Sequence, residues 1–173
     1  MLNPFNADDI EKRTKSITGQ VNRADLVESL NAYHKVLDIS DQQSNAIEKF
    51  TNPDSKVIVT GQQLGLFGGP LYTVFKTITT ILLAERIEKQ TGVPVVPVFW
   101  LADEDHDFEE INSVGIPTYD ALIKEHLAGN TSNKPVADIE ITDDINELKR
   151  NIQALLPETD FTNKLSELLT VKL

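Results

Sequence analysis

The stretch from Lys56 to Glu110 constrains the fold more than any other part of the chain. KVIVT, residues 56–60, is a β-branched run that breaks into GQQLGLFGGP, whose glycines and proline cannot continue a strand. From there Leu71, Val74, Phe75, Ile78, Ile81, Leu82 and Ile87 recur at helical spacing, and Gly92 and Pro94 mark the stop. VPVVPVFWLA then reads as a buried strand, followed at once by a dense acidic run. Strand, glycine turn, helix and strand make a βαβ unit, and parallel neighbours finish at the same edge of their sheet. The glycine turn and the acids are therefore expected side by side.

The rest of the chain is arranged around that unit. Residues 1–20 are polar and poor in periodicity and read as an extended arm. Leu26, Leu30, Tyr33 and Leu37 fall on one helical face, and a short helix from about Asp41 to Phe50 uses Ile47 and Phe50 in the same way. Asn52, Pro53 and Asp54 form the turn into the first strand. Beyond the acids, 111–118 reads as a strand or an extended link, 129–135 as a loop and 136–141 as an edge strand. ITDDINELKRNIQALLP reads as a helix capped near Thr142 or Asp143, and a last helix starts near Asp160. The expected class is α/β: a Rossmann-like partial parallel sheet with helices on both faces and an N-terminal helical extension. The expected divisions are 1–54 (arm and helical extension), 55–128 (βαβ core) and 129–173 (edge strand and helices). So thin a sheet suggests a fragment of a larger domain.

Composition narrows the function classes. A formal charge of −11 opposes binding to nucleic acid or to an anionic membrane surface. The absence of cysteine removes disulfides, thiolate nucleophiles and cysteine-ligated zinc, so a metal would need His, Asp or Glu. No apolar run approaches the ~20 residues of a membrane span, and the first residues lack the order of a signal peptide; the default location is cytoplasmic.

Two groups of residues could carry chemistry. In the turn, Gly61, Gly65, Gly68 and Gly69 could offer amides to a phosphate or carboxylate, with Thr60, Gln62 and Gln63 at the strand tip. The spacing is neither GxxxxGK[ST] nor GxGxxG, so neither named nucleotide mechanism follows, and a turn shaped only by packing accounts for the glycines equally well. Lys76 could reach back to an anion or simply be solvated, and Tyr72 and Trp100 could stack on a ligand ring or pack in the fold. The second group is the acidic run, with Asp103, Glu104, Asp105, Asp107 and Glu109 inside seven positions around His106. Crowded carboxylates raise one another's pKa unless a cation offsets them, and His106 could exchange a proton near neutral pH. The same acids could instead form the favourable start of a helix. Adjacent strand residues point to opposite faces, so no metal-ligand set is assigned.

Taken together, VTGQQLGLFGGPLYTVFK and GVPVVPVFWLADEDHDFEEIN resemble, in order and separation, the cysteine-adding enzymes of bacillithiol biosynthesis, the BshC family. LNPF, NPDSKVIVTGQQ and ITDDINELKRNIQALLPETDFT resemble it more weakly, and KPVADIEI departs from the family's glycine-rich, basic pattern. Members are longer, so the resemblance implies an N-terminal portion of a Rossmann-like core, with a homodimer expected of the full-length protein. It implies small-molecule substrates, cysteine and glucosaminyl malate, joined by an amide bond. An activated cysteinyl intermediate would follow, with ATP or another nucleotide as an unassigned activator. On that reading Glu104 and Asp105 hold a cationic amine or a metal, His106 accepts its proton, Asp107 and Asn112 orient the group, and the turn with Gln62 and Gln63 holds an anionic one. A sugar- or nucleotide-binding module and a metal-dependent hydrolase are the alternatives.

Overall fold

A computed structural model describes residues 6–19, 21–104, 108–127, 134–139 and 144–170. The chain divides into two compact units, Met1–Thr60 with Phe75–Trp100, and Gly61–Val74 with Leu101–Leu173.

In the first unit, residues 7–16 of the expected extended arm form a helix. Helix α1 spans Ala7–Ser16, and the Asn6 side chain caps it by accepting the Asp8 and Asp9 N–H groups at 2.9 and 3.1 Å. Among its described side chains it buries Ile10 and Thr14, four residues apart, a stripe too short to register as a periodic pattern. Helix α2 (Arg23–His34) also departs from expectation, because it buries no residue. Leu26 and Leu30 are half-buried, while Tyr33 is exposed and Leu37 lies past the helix end, also exposed. Helix α3 (Asp41–Glu48) starts on a capping box between Ser40 and Gln43. It runs into a 3-10 turn, Lys49–Thr51, and buries Ile47 and Phe50 as the pattern predicts.

Strand β1 (Lys56–Gln63), helix α4 (Leu71–Thr91) and strand β2 (Val95–Ala102) follow in the expected order. The strands form one two-stranded sheet. Lys56 N–H donates to Pro94 O at 2.9 Å and Leu64 N–H to Ala102 O at 3.1 Å. The same offset at both ends means that the strands run parallel in one register.

Helix α4 faces its surroundings differently from the sequence reading. Its buried residues are Thr73, Thr80 and Ala84, whereas Leu71, Val74, Phe75, Ile78, Ile81 and Leu82 are exposed. Thr80 can enter the buried stripe because its hydroxyl finds a partner inside the helix, Oγ1 donating to Lys76 O at 2.8 Å. Glu88, lower on α4, takes the Lys49 ammonium at 2.7 and 3.0 Å and the Val95 N–H at 2.9 Å. The Lys49 hydrogen bond and then the Val95 N–H hold its carboxyl below the usual range.

The second unit is built on a hairpin. Strands β3 (Ser113–Pro117) and β4 (Leu122–His126) pair antiparallel, Ser113 opposite His126 and Pro117 opposite Leu122. Thr118 closes the turn, its N–H and Oγ1 both donating to Ala121 O at 2.8 and 2.9 Å. The β4 strand is invisible to a search for alternation because Leu122 and Ile123 are adjacent, although Ile123 and Glu125 are its less exposed side. Helix α5 (Phe108–Ile111), β3, the residue after β4 and helix α6 (Asp144–Leu155) share one core of Phe108, Ile116, Leu127, Ile145, Leu148 and Ile152. The expected edge strand at 136–141 is instead a 3-10 turn over Val136–Asp138, with Ala137 N–H bonded to Asp103 O at 3.2 Å; residues 140 and 141 lie outside the described residues. Pro135 at its start and the Asp138 and Ile139 amides bonded back to Pro135 O and Val136 O favour the turn. The expected caps Thr142 and Asp143 are likewise undescribed, and helix α7 (Thr162–Thr170) begins close to where the pattern places it.

Candidate functional site

The glycine turn is a closed, strained loop between β1 and α4. Phe67 adopts φ 54° and ψ 34°, a left-handed conformation that bulky residues avoid, and Gly68 and Gly69 follow at φ 89° and 76°. A Cβ on Gly65 would stand 2.8 Å from Gly69 Cα, so the two limbs meet where only hydrogen fits. Gly68 N–H donates to Gly65 O at 3.2 Å and Gly69 N–H to Leu66 O at 3.0 Å. These two amides close the loop itself, which leaves an anion to find other donors.

Beside the loop lies a cavity of about 610 Å³, formed wholly within the second unit. Of the residues singled out by sequence, Gln62, Gln63, Gly65, Gly69 and Tyr72 line it. Gly61, Gly68, Glu104 and Asn112 belong to the same unit but do not line it. Thr60, Lys76 and Trp100 belong to the first unit, and Trp100 is 64% exposed. Asp105, His106 and Asp107 lie outside the described residues. Glu104 is exposed just past the end of β2, and Asn112 serves the backbone, its carbonyl accepting the Leu127 N–H at 2.7 Å.

The cavity also gathers residues that motif reasoning passed over. Glu110 and Ile111 from α5, with Ser113, Val114, Gly115 and Leu122 from the hairpin, complete its lining. Glu110 stood in the sequence as one more acid of a crowded run, and the wall made by Leu122 needed the hairpin pairing to be seen. Gly115 has Leu122 Cδ1 3.3 Å from where its Cβ would be, so the pair lies in close contact across the hairpin. Among the described residues no group of three His, Asp or Glu side chains could hold a metal ion. Among them too, no helix is long and apolar enough to cross a membrane.

Comparison with known proteins supplies the family. The model described as "Bacillithiol biosynthesis BshC, N-terminal Rossmann-like domain" matches residues 2–173. A protein of Oceanobacillus iheyensis named "Putative cysteine ligase BshC" is 38% identical over 152 residues, covering 85% of this chain and 28% of the relative. One of the same name from Geobacillus sp. (strain WCH70) is 41% identical over 150 residues with the same shares covered. Another, from Halalkalibacterium halodurans, is 50% identical over 91 residues, covering 53% of this chain and 17% of the relative. The chain thus spans about 28% of the length of the first two curated relatives. With its parallel strand pair, its α/β make-up and a match over nearly its whole length, the chain belongs to the BshC family through that family's N-terminal Rossmann-like domain.

Proposed function

We propose that this chain carries part of the active site of a cysteine ligase of bacillithiol biosynthesis, which joins cysteine to the glucosamine amine of glucosaminyl malate through an amide bond. The observation that carries the reading is the cavity beside the closed glycine turn, at the strand end where a Rossmann-like sheet binds its ligand. Amide formation needs a neutral amine and an activated carboxyl. Glu104 and Asp105 hold the sugar's amine, His106 takes its proton as it attacks, and Asp107 and Asn112 orient the imidazole. Gln62 and Gln63, with Tyr72, orient the group held in the cavity. ATP or another nucleotide would supply the leaving group on the cysteine carboxyl, and no residue here is assigned to it.

Calorimetric titration of this chain with glucosaminyl malate tests the reading. Binding that weakens in both Glu104→Gln and His106→Ala is expected. Failure of glucosaminyl malate to bind the wild-type chain overturns the proposal. Release of an amide product after addition of cysteine and ATP, followed by mass spectrometry, separates a catalyst from a module that only binds the sugar.

A further inference from the structure

Gly115 stands in the middle of β3, directly opposite Lys124, where a glycine weakens the strand because it adds backbone freedom and packs nothing. Its backbone does not call for glycine, since Gly115 adopts no positive φ. The contact it allows does. Pro117 pairs with Leu122, which makes Leu122 the diagonal neighbour of Gly115 on the same face of the hairpin. Leu122 Cδ1, Cδ2 and Cγ lie 3.3, 3.7 and 3.7 Å from where a Gly115 Cβ would stand, so the leucine is seated on the bare backbone of β3. Both residues line the cavity of about 610 Å³. Ile116, on the opposite face, is fixed in the core, whereas Leu122 is 62% exposed; under crowding the leucine gives way before the strand does.

We infer that Gly115 is a positioning residue for ligand binding: it seats Leu122 against β3 and so keeps the hairpin side of the cavity open to the sugar substrate. The identity of that ligand rests on the ligase reading above. Sites of ~300–1,000 Å³ enclose molecules much larger than one amino acid, and of the two substrates glucosaminyl malate is the one that needs such space. A side chain at position 115 takes the place that Leu122 now occupies. Alanine already sets its Cβ 3.3 Å from Leu122 Cδ1, and valine adds two methyl groups at that point. Leu122 then swings off β3, and the two side chains together fill space that glycine leaves clear. Residue 115 thus limits the size of the ligand through its neighbour, without touching the reacting groups.

The experiment uses the intact 173-residue chain. Calorimetry with glucosaminyl malate is expected to show binding about tenfold weaker in Gly115→Val than in the wild type, a loss in keeping with overpacking, and a smaller loss in Gly115→Ala. The double variant Gly115→Val/Leu122→Ala removes the displaced side chain and should regain most of the affinity, which a valine that merely deformed the strand would not allow. Glucosamine, which lacks the malyl group, should lose less than glucosaminyl malate does. Valine suits a strand better than glycine, so Gly115→Val should melt no lower than the wild type. Methyl NOEs locate Leu122 independently of any ligand. In the wild type its methyls should meet the Gly115 α-protons, and in Gly115→Val they should turn toward other residues of the cavity lining. The positioning role is overturned if Leu122 keeps its place in Gly115→Val, if that variant binds glucosaminyl malate as tightly as the wild type, or if the double variant regains nothing. Any of these results beside wild-type binding of glucosaminyl malate would leave the ligase reading standing. Displacement of Leu122 in a chain whose wild type binds no glucosaminyl malate would remove the ligase reading and leave the seating of Leu122 by Gly115.

Discussion

At the scale of single residues, the turn depends on one missing methyl group. Gly65 and Gly69 approach so closely that alanine at position 65 must displace Gly69 backbone, whereas Gly19 has nothing within 4 Å of where a Cβ would stand. Gly65→Ala is expected to destabilise the chain by about 1–3 kcal/mol, as overpacking does, and Gly19→Ala to stay within about 0.5 kcal/mol. Urea unfolding of both variants reads the difference, and equal midpoints would show that the turn tolerates a side chain. The need for glycine at this turn was legible from composition. Its inward-bonded amides at Gly68 and Gly69 were not, because the direction of an N–H follows from φ and ψ rather than from residue type. Glu110 was hidden for a related reason: in a run of acids, only the local fold shows which one lines a cavity.

Among the elements, α4 best separates what a pattern reveals from what packing decides. Helical spacing located the helix and its stop at Gly92, and the two parallel strands flanking it were equally plain. Which side is buried was misread, because hydropathy ranks threonine with the polar residues although Thr80 satisfies its hydroxyl within the helix. Ala84 is 1% exposed, while Phe75 and Leu82 are 61% and 59% exposed. Ala84→Leu should therefore cost about 1–3 kcal/mol, and Phe75→Ser or Leu82→Ser no more than about 0.5 kcal/mol. Denaturant melts check this, and a large loss from Phe75→Ser would show the burial to be the other way round. The hairpin teaches the complementary lesson. β4 emerges from its pairing with β3 and from Thr118 in the turn, not from its own sequence, whereas Ile145, Leu148 and Ile152 announce α6 by spacing alone.

For the whole molecule, charge sets the response to pH. The formal charge of −11 means that mild acid relieves self-repulsion, which favours the folded state. Glu88 acts in the opposite direction. It joins Lys49, α4 and the start of β2, and its carboxyl titrates below 4.5 in the folded chain because the Lys49 ammonium and the Val95 N–H favour the ionised form. A lowered carboxylate pKa gives stability that is present above the unfolded value and lost as pH falls through the folded one. Side-chain exposures of 39% and 33% for the pair keep the contribution to about 1 kcal/mol. The stability difference between wild type and Glu88→Gln should thus be constant near neutrality and shrink below pH 4.5, measured by thermal melts at each pH. A difference that grew with acidification would contradict the bond pattern. The apolar face of α4 has a further meaning at this scale. Leu71, Val74, Phe75, Ile78, Ile81 and Leu82 are 41–69% exposed, so their burial adds little to the free energy of folding. The most apolar part of this helix is thus the part on which the stability of the folded chain depends least.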